Sequence, residues 1–142
     1  MTDDLNDFKA FMQRREEAGR AYVCGDAEPL GRLVTRSLPA TFFSPRGDAV
    51  EGASEVWTRY ATDAVAFAAG SDNRFEVLDM GASDGIAYWV GFQHSQAQLR
   101  GRAEPVPFHL RVTEIFRRED GGWKLVHRHA DMVAAEAEKQ QS

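Results

Sequence analysis

Cysteine is nearly missing from this chain. Cys24 is the single one among 142 residues, so no internal disulfide can form and no cysteine-based metal site is expected. Long apolar runs are missing as well, and none approaches the ~20 residues that a membrane-spanning helix needs. The start, Met1-Thr2-Asp3-Asp4, lacks the basic-then-apolar plan of a secretion signal. Cytoplasm is therefore the default location. Basic charge is in deficit, with 17 Lys and Arg against 22 Asp and Glu for a formal charge of −5. That balance disfavours the electrostatic grip on phosphate backbones that nucleic-acid binders use, and neither a nucleic-acid nor a membrane partner is expected. Basic pairs such as Arg14-Arg15 and Arg117-Arg118 read as solvated surface. No internal repeat or low-complexity segment is evident.

What is present suits an ordinary globular protein. A chain of this length forms one domain and buries roughly two-thirds of its unfolded surface. The domain is expected over residues 1–133, followed by a charged, fraying tail over residues 134–142.

The first helix is predicted from about Thr2 or Asp3 to Cys24. Leu5, Phe8, Phe11, Met12, Arg15, Ala18, Gly19 and Tyr22 recur at three- and four-residue steps and form one stripe. Gly25-Asp26 reads as a stop and a restart, with Asp26 capping a second helix, Pro29 in its first turn and Pro39 at its end. Leu30, Leu33, Val34 and Leu38 supply its buried side. Thr41-Phe42-Phe43 is a short strand and Ser44 to Asp48 a turn. A third helix begins after Glu51-Gly52, carries Val56, Trp57, Tyr60, Ala61, Ala64 and Ala68 along one side, and closes at Gly70. Strands follow over Arg74 to Met80 and from Ile86 to about Gln98. In the second of these Tyr88, Val90, Phe92 and His94 share one face, and Trp89, Gly91 and Gln93 the other. Three helices followed by consecutive antiparallel strands make an α+β domain, with helices on one face of a curved sheet.

The stretch from Leu110 to Asp131, LRVTEIFRREDGGWKLVHRHAD, reads as a long β-hairpin. Glu119-Asp120-Gly121-Gly122 is its turn signal, flanked by β-branched and aromatic residues that suit a pleated, half-buried surface. Two registers compete. A two-residue loop, Asp120-Gly121, puts Glu114 opposite His127 and Val112 opposite His129. A three-residue loop closed by a glycine bulge puts Val112 opposite Arg128 and Glu114 opposite Val126. A slip of one residue exchanges the whole face.

The element order, together with Tyr22-Val23-Cys24-Gly25-Asp26, Phe43-Ser44-Pro45-Arg46-Gly47 and the run from Arg111 to His129, resembles the SnoaL-like branch of the nuclear transport factor two superfamily. The resemblance covers nearly the whole chain. It implies a cone-shaped barrel of three N-terminal helices packed on a strongly curved antiparallel sheet, with homodimerisation through the sheet's outer face. The enzymes it brings to mind are polyketide cyclases, ketosteroid isomerases, dehydratases and epoxide hydrolases. Non-enzymatic members include transport adaptors and the oligomerising hub of calmodulin-dependent kinases. In that hub, arginines enter the cavity from positions matching Val90, Glu114 and Ala130. None is arginine here, so the hub's own cluster does not carry over. Glu114 and Ala130 share a face only with the three-residue loop, which the resemblance therefore favours.

With that register, the expected inner face carries Tyr88, Val90, Phe92, Val112, Glu114, Val126 and Arg128. The outer face carries Arg111, Thr113, Ile115, Leu125, His127, His129 and Asp131. Glu114 is then the candidate general base or acid, tuned by Arg128 across the hairpin. The plainer reading is a structural ion pair. Tyr22, Trp57, Tyr60, Tyr88, Val90, Phe92 and Val112 are expected to line an apolar pocket for a small apolar or partly oxygenated ligand. Thr113, Leu125, His127 and His129 are the candidate dimer interface. His127 and His129 with Asp131 could hold a metal or form an oriented base, but no third ligand is evident, and neither a metal nor a cofactor is expected. His94 and His109 read as surface. The functional expectation is a cofactor-free isomerase, cyclase or dehydratase acting by proton transfer. Its alternative is a non-catalytic, homodimeric association or ligand-sensing module.

Overall fold

The computed structural model describes residues 3–133; the expected tail, Ala134 to Ser142, lies outside them. Helix α1 spans Asp4–Val23. It starts where sequence reading puts it, because the Asp3 carboxylate accepts the Asn6 backbone N–H at 3.1 Å, a side-chain cap for one of the orphaned N-terminal donors. Its stripe of Phe8, Phe11, Met12, Arg15, Ala18 and Gly19 is buried.

Helix α2 is shorter than predicted. It covers only Glu28–Gly31, and Leu38, expected in its buried face, is 73% exposed. The chain leaves the helix early because the sheet claims its backbone. Leu125 donates to the Leu33 carbonyl at 2.7 Å and accepts from the Thr35 N–H at 3.0 Å, bonds that a continuing helix would forbid. Gly31 marks the exit, since a β-carbon there would lie 2.7 Å from the Trp57 ring. Helix α3 covers Ala53–Ala64 and also stops short of the predicted Gly70. Residues just beyond it turn toward β4, with Phe67 bridging Leu99.

Six strands form one sheet: β1 (Thr41–Phe43), β2 (Ala49–Glu51), β3 (Asp72–Ser83), β4 (Ile86–Ala97), β5 (Val106–Glu119) and β6 (Gly122–Met132), in the order β2-β1-β6-β5-β4-β3. The sheet is mixed rather than purely antiparallel. β1 lies parallel to β6, because it enters from the helical layer instead of through a hairpin. The helices cover one face, so the fold is the expected α+β cone, with α1 packed on β3 and β4.

The register of the β5–β6 hairpin is neither of the two anticipated. Glu119 pairs with Gly122, so the loop has two residues, Asp120 and Gly121, at φ of 52° and 81°. These are the left-handed conformations that a tight primed turn demands. Farther along, Phe116 pairs with Leu125 while Ile115 pairs with His127, which leaves Val126 as an extra, bulged residue. The bulge switches parity. Trp123 and Leu125 point into the core before it, and Ala130 does so after it. The outcome for Glu114 and the histidines is the one expected, by a different route. The carboxylate goes in, the imidazoles go out, and Glu114 lies directly opposite Arg128 rather than opposite Val126.

Candidate functional site

Along β5 the buried residues are Leu110, Val112, Glu114 and Phe116, with Arg111, Thr113, Ile115 and Arg117 on the other face. β4 pairs Trp89 with Glu114, Gly91 with Val112 and Gln93 with Leu110. The inner face of β4 is therefore Ala87, Trp89, Gly91, Gln93, Ser95 and Ala97, all buried. This corrects the expectation for Tyr88, Val90 and Phe92, which lie on the outer face. Tyr88 is 37% exposed and its hydroxyl donates to Asp79 at 2.7 Å. Both faces of β4 carry aromatic residues, so alternation alone could not choose between them.

Glu114 is completely buried and accepts four hydrogen bonds. Arg15 grips it with two, Nε to Oε1 at 2.9 Å and Nη2 to Oε2 at 2.7 Å. Arg128 Nη1 donates to Oε2 at 2.6 Å and Trp89 Nε1 to Oε1 at 2.9 Å. Burial by itself would raise the Glu114 pKa, but the two guanidiniums outweigh it and hold the carboxyl at about 2. Burial works against the Arg15 cation as well, and the Glu114 charge more than offsets it. Arg15 and Trp89 were not foreseen as site residues. Arg15, placed by sequence both on the stripe of the first helix and in a basic pair read as solvated surface, is 3% exposed. The signal was present, since an arginine on an otherwise apolar helical stripe must find a buried counter-charge or cost several kcal/mol.

A polar chain runs on from this cluster. Arginine can only donate, so Arg128 Nη2, 2.7 Å from Gln93 Oε1, fixes the orientation of that amide. Gln93 Nε2 must then donate to Asn73 Oδ1 at 2.9 Å, which also accepts from the Ser95 hydroxyl at 2.5 Å.

Beside the cluster lies a cavity of about 350 Å³. Its buried end is formed by Arg15, Gly19, Tyr60, Gln93, Ser95 and Arg128, and its walls by Tyr22, Val23, Leu30, Phe42, Ala97 and Leu110. Toward solvent it is bordered by Pro45, Arg46, Asp63, Phe67, Phe108 and Met132. At that open end Arg59 binds Asp48 at 2.7 Å and Asp63 at 2.9 Å, and Arg46 reaches Asp63 at 3.3 Å. Tyr22 donates to the Tyr60 carbonyl at 2.9 Å. Burial pushes both tyrosine hydroxyls above their usual pKa, so they remain protonated.

Of the residues expected in the pocket, Tyr22 and Tyr60 line the cavity. Val112 is buried on the same face in the core. Trp57 packs over Gly31 and carries the Arg36 guanidinium 4.7 Å above its ring, away from the cavity. Of the expected interface, Thr113, His127 and His129 are on the outer face, whereas Leu125 is 2% exposed and in the core, moved there by the Val126 bulge. His127 Nδ1 lies 2.7 Å from the Thr41 hydroxyl; burial and the neighbouring His129 lower its pKa. Among the described residues, no group of three or more His, Cys, Asp or Glu could hold a metal ion, and no helix is long and apolar enough to cross a membrane.

No curated protein matches the chain. Solved structures do. A protein with a cystatin-like fold from Caulobacter vibrioides superposes with a TM-score of 0.72 at 13% identity, over 98% of this chain and 96% of that one. A candidate dehydratase of the NTF2-like family from Streptomyces avermitilis gives 0.71 at 21% identity, over 92% and 96%. The CamKII hub homology domain of Chlamydomonas reinhardtii gives 0.64 at 25% identity, over 87% and 96%. These likenesses agree with the helix-filled, bulged sheet described above, and the model of the SnoaL-like domain matches residues 10–135. By that match the chain belongs to the SnoaL-like domain family, and its fold is the one seen in the NTF2-like structure from Streptomyces avermitilis.

Proposed function

We propose that this protein binds a small, largely apolar molecule in the cavity, with Glu114 anchoring the arginines rather than moving protons. The observation that carries this reading is the cavity itself, whose 350 Å³ falls within the range of small-molecule sites, roughly 300–1,000 Å³. Apolar side chains form its walls and polar groups gather at one end. The cyclase, isomerase or dehydratase chemistry that the family resemblance implies needs a base poised near neutrality. A carboxyl held at about 2 with four donors upon it has neither the basicity nor a free lone pair. Arg128 and Tyr60 suit a different part of such a reaction, holding negative charge as it develops on a substrate oxygen.

The test is binding of a neutral apolar fluorophore. Ala97 lies on the cavity wall, and Ala97→Leu would push an isobutyl group into the void. Affinity is expected to fall at least about fivefold, in line with the ~1–3 kcal/mol typical of overfilling a packed site. Unchanged affinity would move the binding site elsewhere.

A second property is favoured by the outer sheet face. We propose that it mediates homodimerisation, because Ile86, Tyr88 and Phe43 are 49%, 37% and 40% exposed and all lie on it with the four histidines of the chain. The hub-domain relative fits an assembling role.

A further inference from the structure

We propose that the buried end of the cavity receives the carboxylate of its ligand, so that the bound molecule is an apolar monocarboxylic acid in its ionised form. The inference deepens the cavity-binding reading and rests on it.

Charge gives the first argument. At the buried end two guanidiniums, Arg15 and Arg128, share one carboxylate, Glu114. At the open end the arginines are matched: Arg59 and Arg46 face Asp48 and Asp63. One positive charge is therefore left over where the protein is driest. Their side chains are only 4% and 11% exposed, and an uncompensated buried cation is costly.

Hydrogen-bond accounting gives the second. The carboxylate and amide oxygens of the network each accept at least one hydrogen bond from a donor within it. Both Glu114 oxygens, Gln93 Oε1 and Asn73 Oδ1 are taken. The charged capacity left over is on the donor side. Arg128, which lines the cavity, uses two of its five N–H bonds on Glu114 and Gln93. Tyr60, which borders the same end, keeps its proton and can donate it to an incoming oxygen. A ligand that fits must bring acceptors and a negative charge. A phosphate or dicarboxylate carries more charge than the single surplus can offset, and the apolar walls offer it nothing. A carboxylate on a hydrocarbon body satisfies both ends.

Two probes with one apolar body separate the possibilities: 2-naphthoate and 2-naphthalenemethanol, titrated into the full chain by calorimetry at pH 7. Naphthoate is expected to bind at least about tenfold more tightly, the low end of what a hydrogen bond to a charged group contributes. Arg128→Gln removes the surplus charge but leaves Glu114 with Arg15 and Trp89. In that variant the preference is expected to fall to within about twofold, and Arg128→Lys should restore part of it. Equal affinities in the wild type would overturn the carboxylate assignment and leave the cavity reading standing. So would a preference that persists in Arg128→Gln. If neither probe bound, both readings would fall. Should Arg128→Gln not fold, the wild-type ratio and Arg128→Lys still decide the matter.

Discussion

At the scale of single residues, Glu114 is the centre of the molecule. Removing one partner of a buried ion pair typically costs about 3–5 kcal/mol, because the remaining charge is left uncompensated. Glu114→Gln strands two arginines and is expected to destabilise the fold by that amount in urea denaturation. The pH dependence has a definite sign. Lowering the carboxyl from its ordinary 4.5 to about 2 contributes on the order of 3 kcal/mol of stability, at 1.36 kcal/mol per pKa unit. Because the folded-state value is the depressed one, this stability is fully present above pH 4.5 and is lost as pH falls from there toward 2. Wild-type stability should drop steeply across that window, and Glu114→Gln should flatten the drop; parallel profiles for the two proteins would contradict the assignment. The inward course of Glu114 could be read from sequence, but its partners could not. Arg128 lies fourteen residues away on the same hairpin, whereas Arg15 and Trp89 reach the carboxylate across 99 and 25 residues of chain. Only the stray cation in an apolar stripe hinted at the first of them.

At the scale of elements, the β5–β6 hairpin decides which residues meet. That its tip is a turn was legible, but the loop is the two-residue Asp120-Gly121 alternative, the primed turn that Asp-Gly suits, and not the three-residue loop that the resemblance favoured. Gly121, at φ 81°, is expected to lose about 1–2 kcal/mol on Gly121→Ala, the cost of a left-handed conformation for a residue with a β-carbon; a thermal melt no lower than wild type would contradict the turn geometry. The bulge at Val126 was not legible. Nothing in Lys-Leu-Val-His-Arg marks an extra residue, and only the packing of Leu125 against the helical layer and of Glu114 on Arg128 demands it. The same limit applied to β4, where Tyr88 was expected inside and Trp89 outside, the reverse of the arrangement in which Trp89 bonds to Glu114. It applied also to α2, whose helical pattern was overridden by the bonds of Leu33 and Thr35 to Leu125.

At the scale of the whole molecule, the cone separates two surfaces. The inner one holds the ion cluster and the cavity, and the outer one holds the histidines and the exposed apolar residues proposed for self-association. Thr113 sits between Val90 and His129 on the outer face, so Thr113→Arg would place a charge in the centre of a homodimer. Sedimentation is expected to give a dimer for the wild type and a monomer for the variant, with naphthoate binding retained. A dimer that survives the substitution would remove this face from the interface. The α+β class and the helix-then-strand order were legible at this scale, because they depend on periodicity and turn chemistry summed over many residues; the family was legible only as a resemblance carried by the element order and the run from Arg111 to His129.

The Arg15–Glu114–Arg128 cluster links all three scales, and its ionisation can be read directly. Glu114 can be followed by carbon-13 NMR of its side-chain carboxyl during an acid titration of the folded protein. The carboxylate is expected to stay ionised down to about pH 3. A midpoint at or above pH 4.5 would mean that the guanidiniums do not hold it, and would return Glu114 to the role of a titrating acid or base.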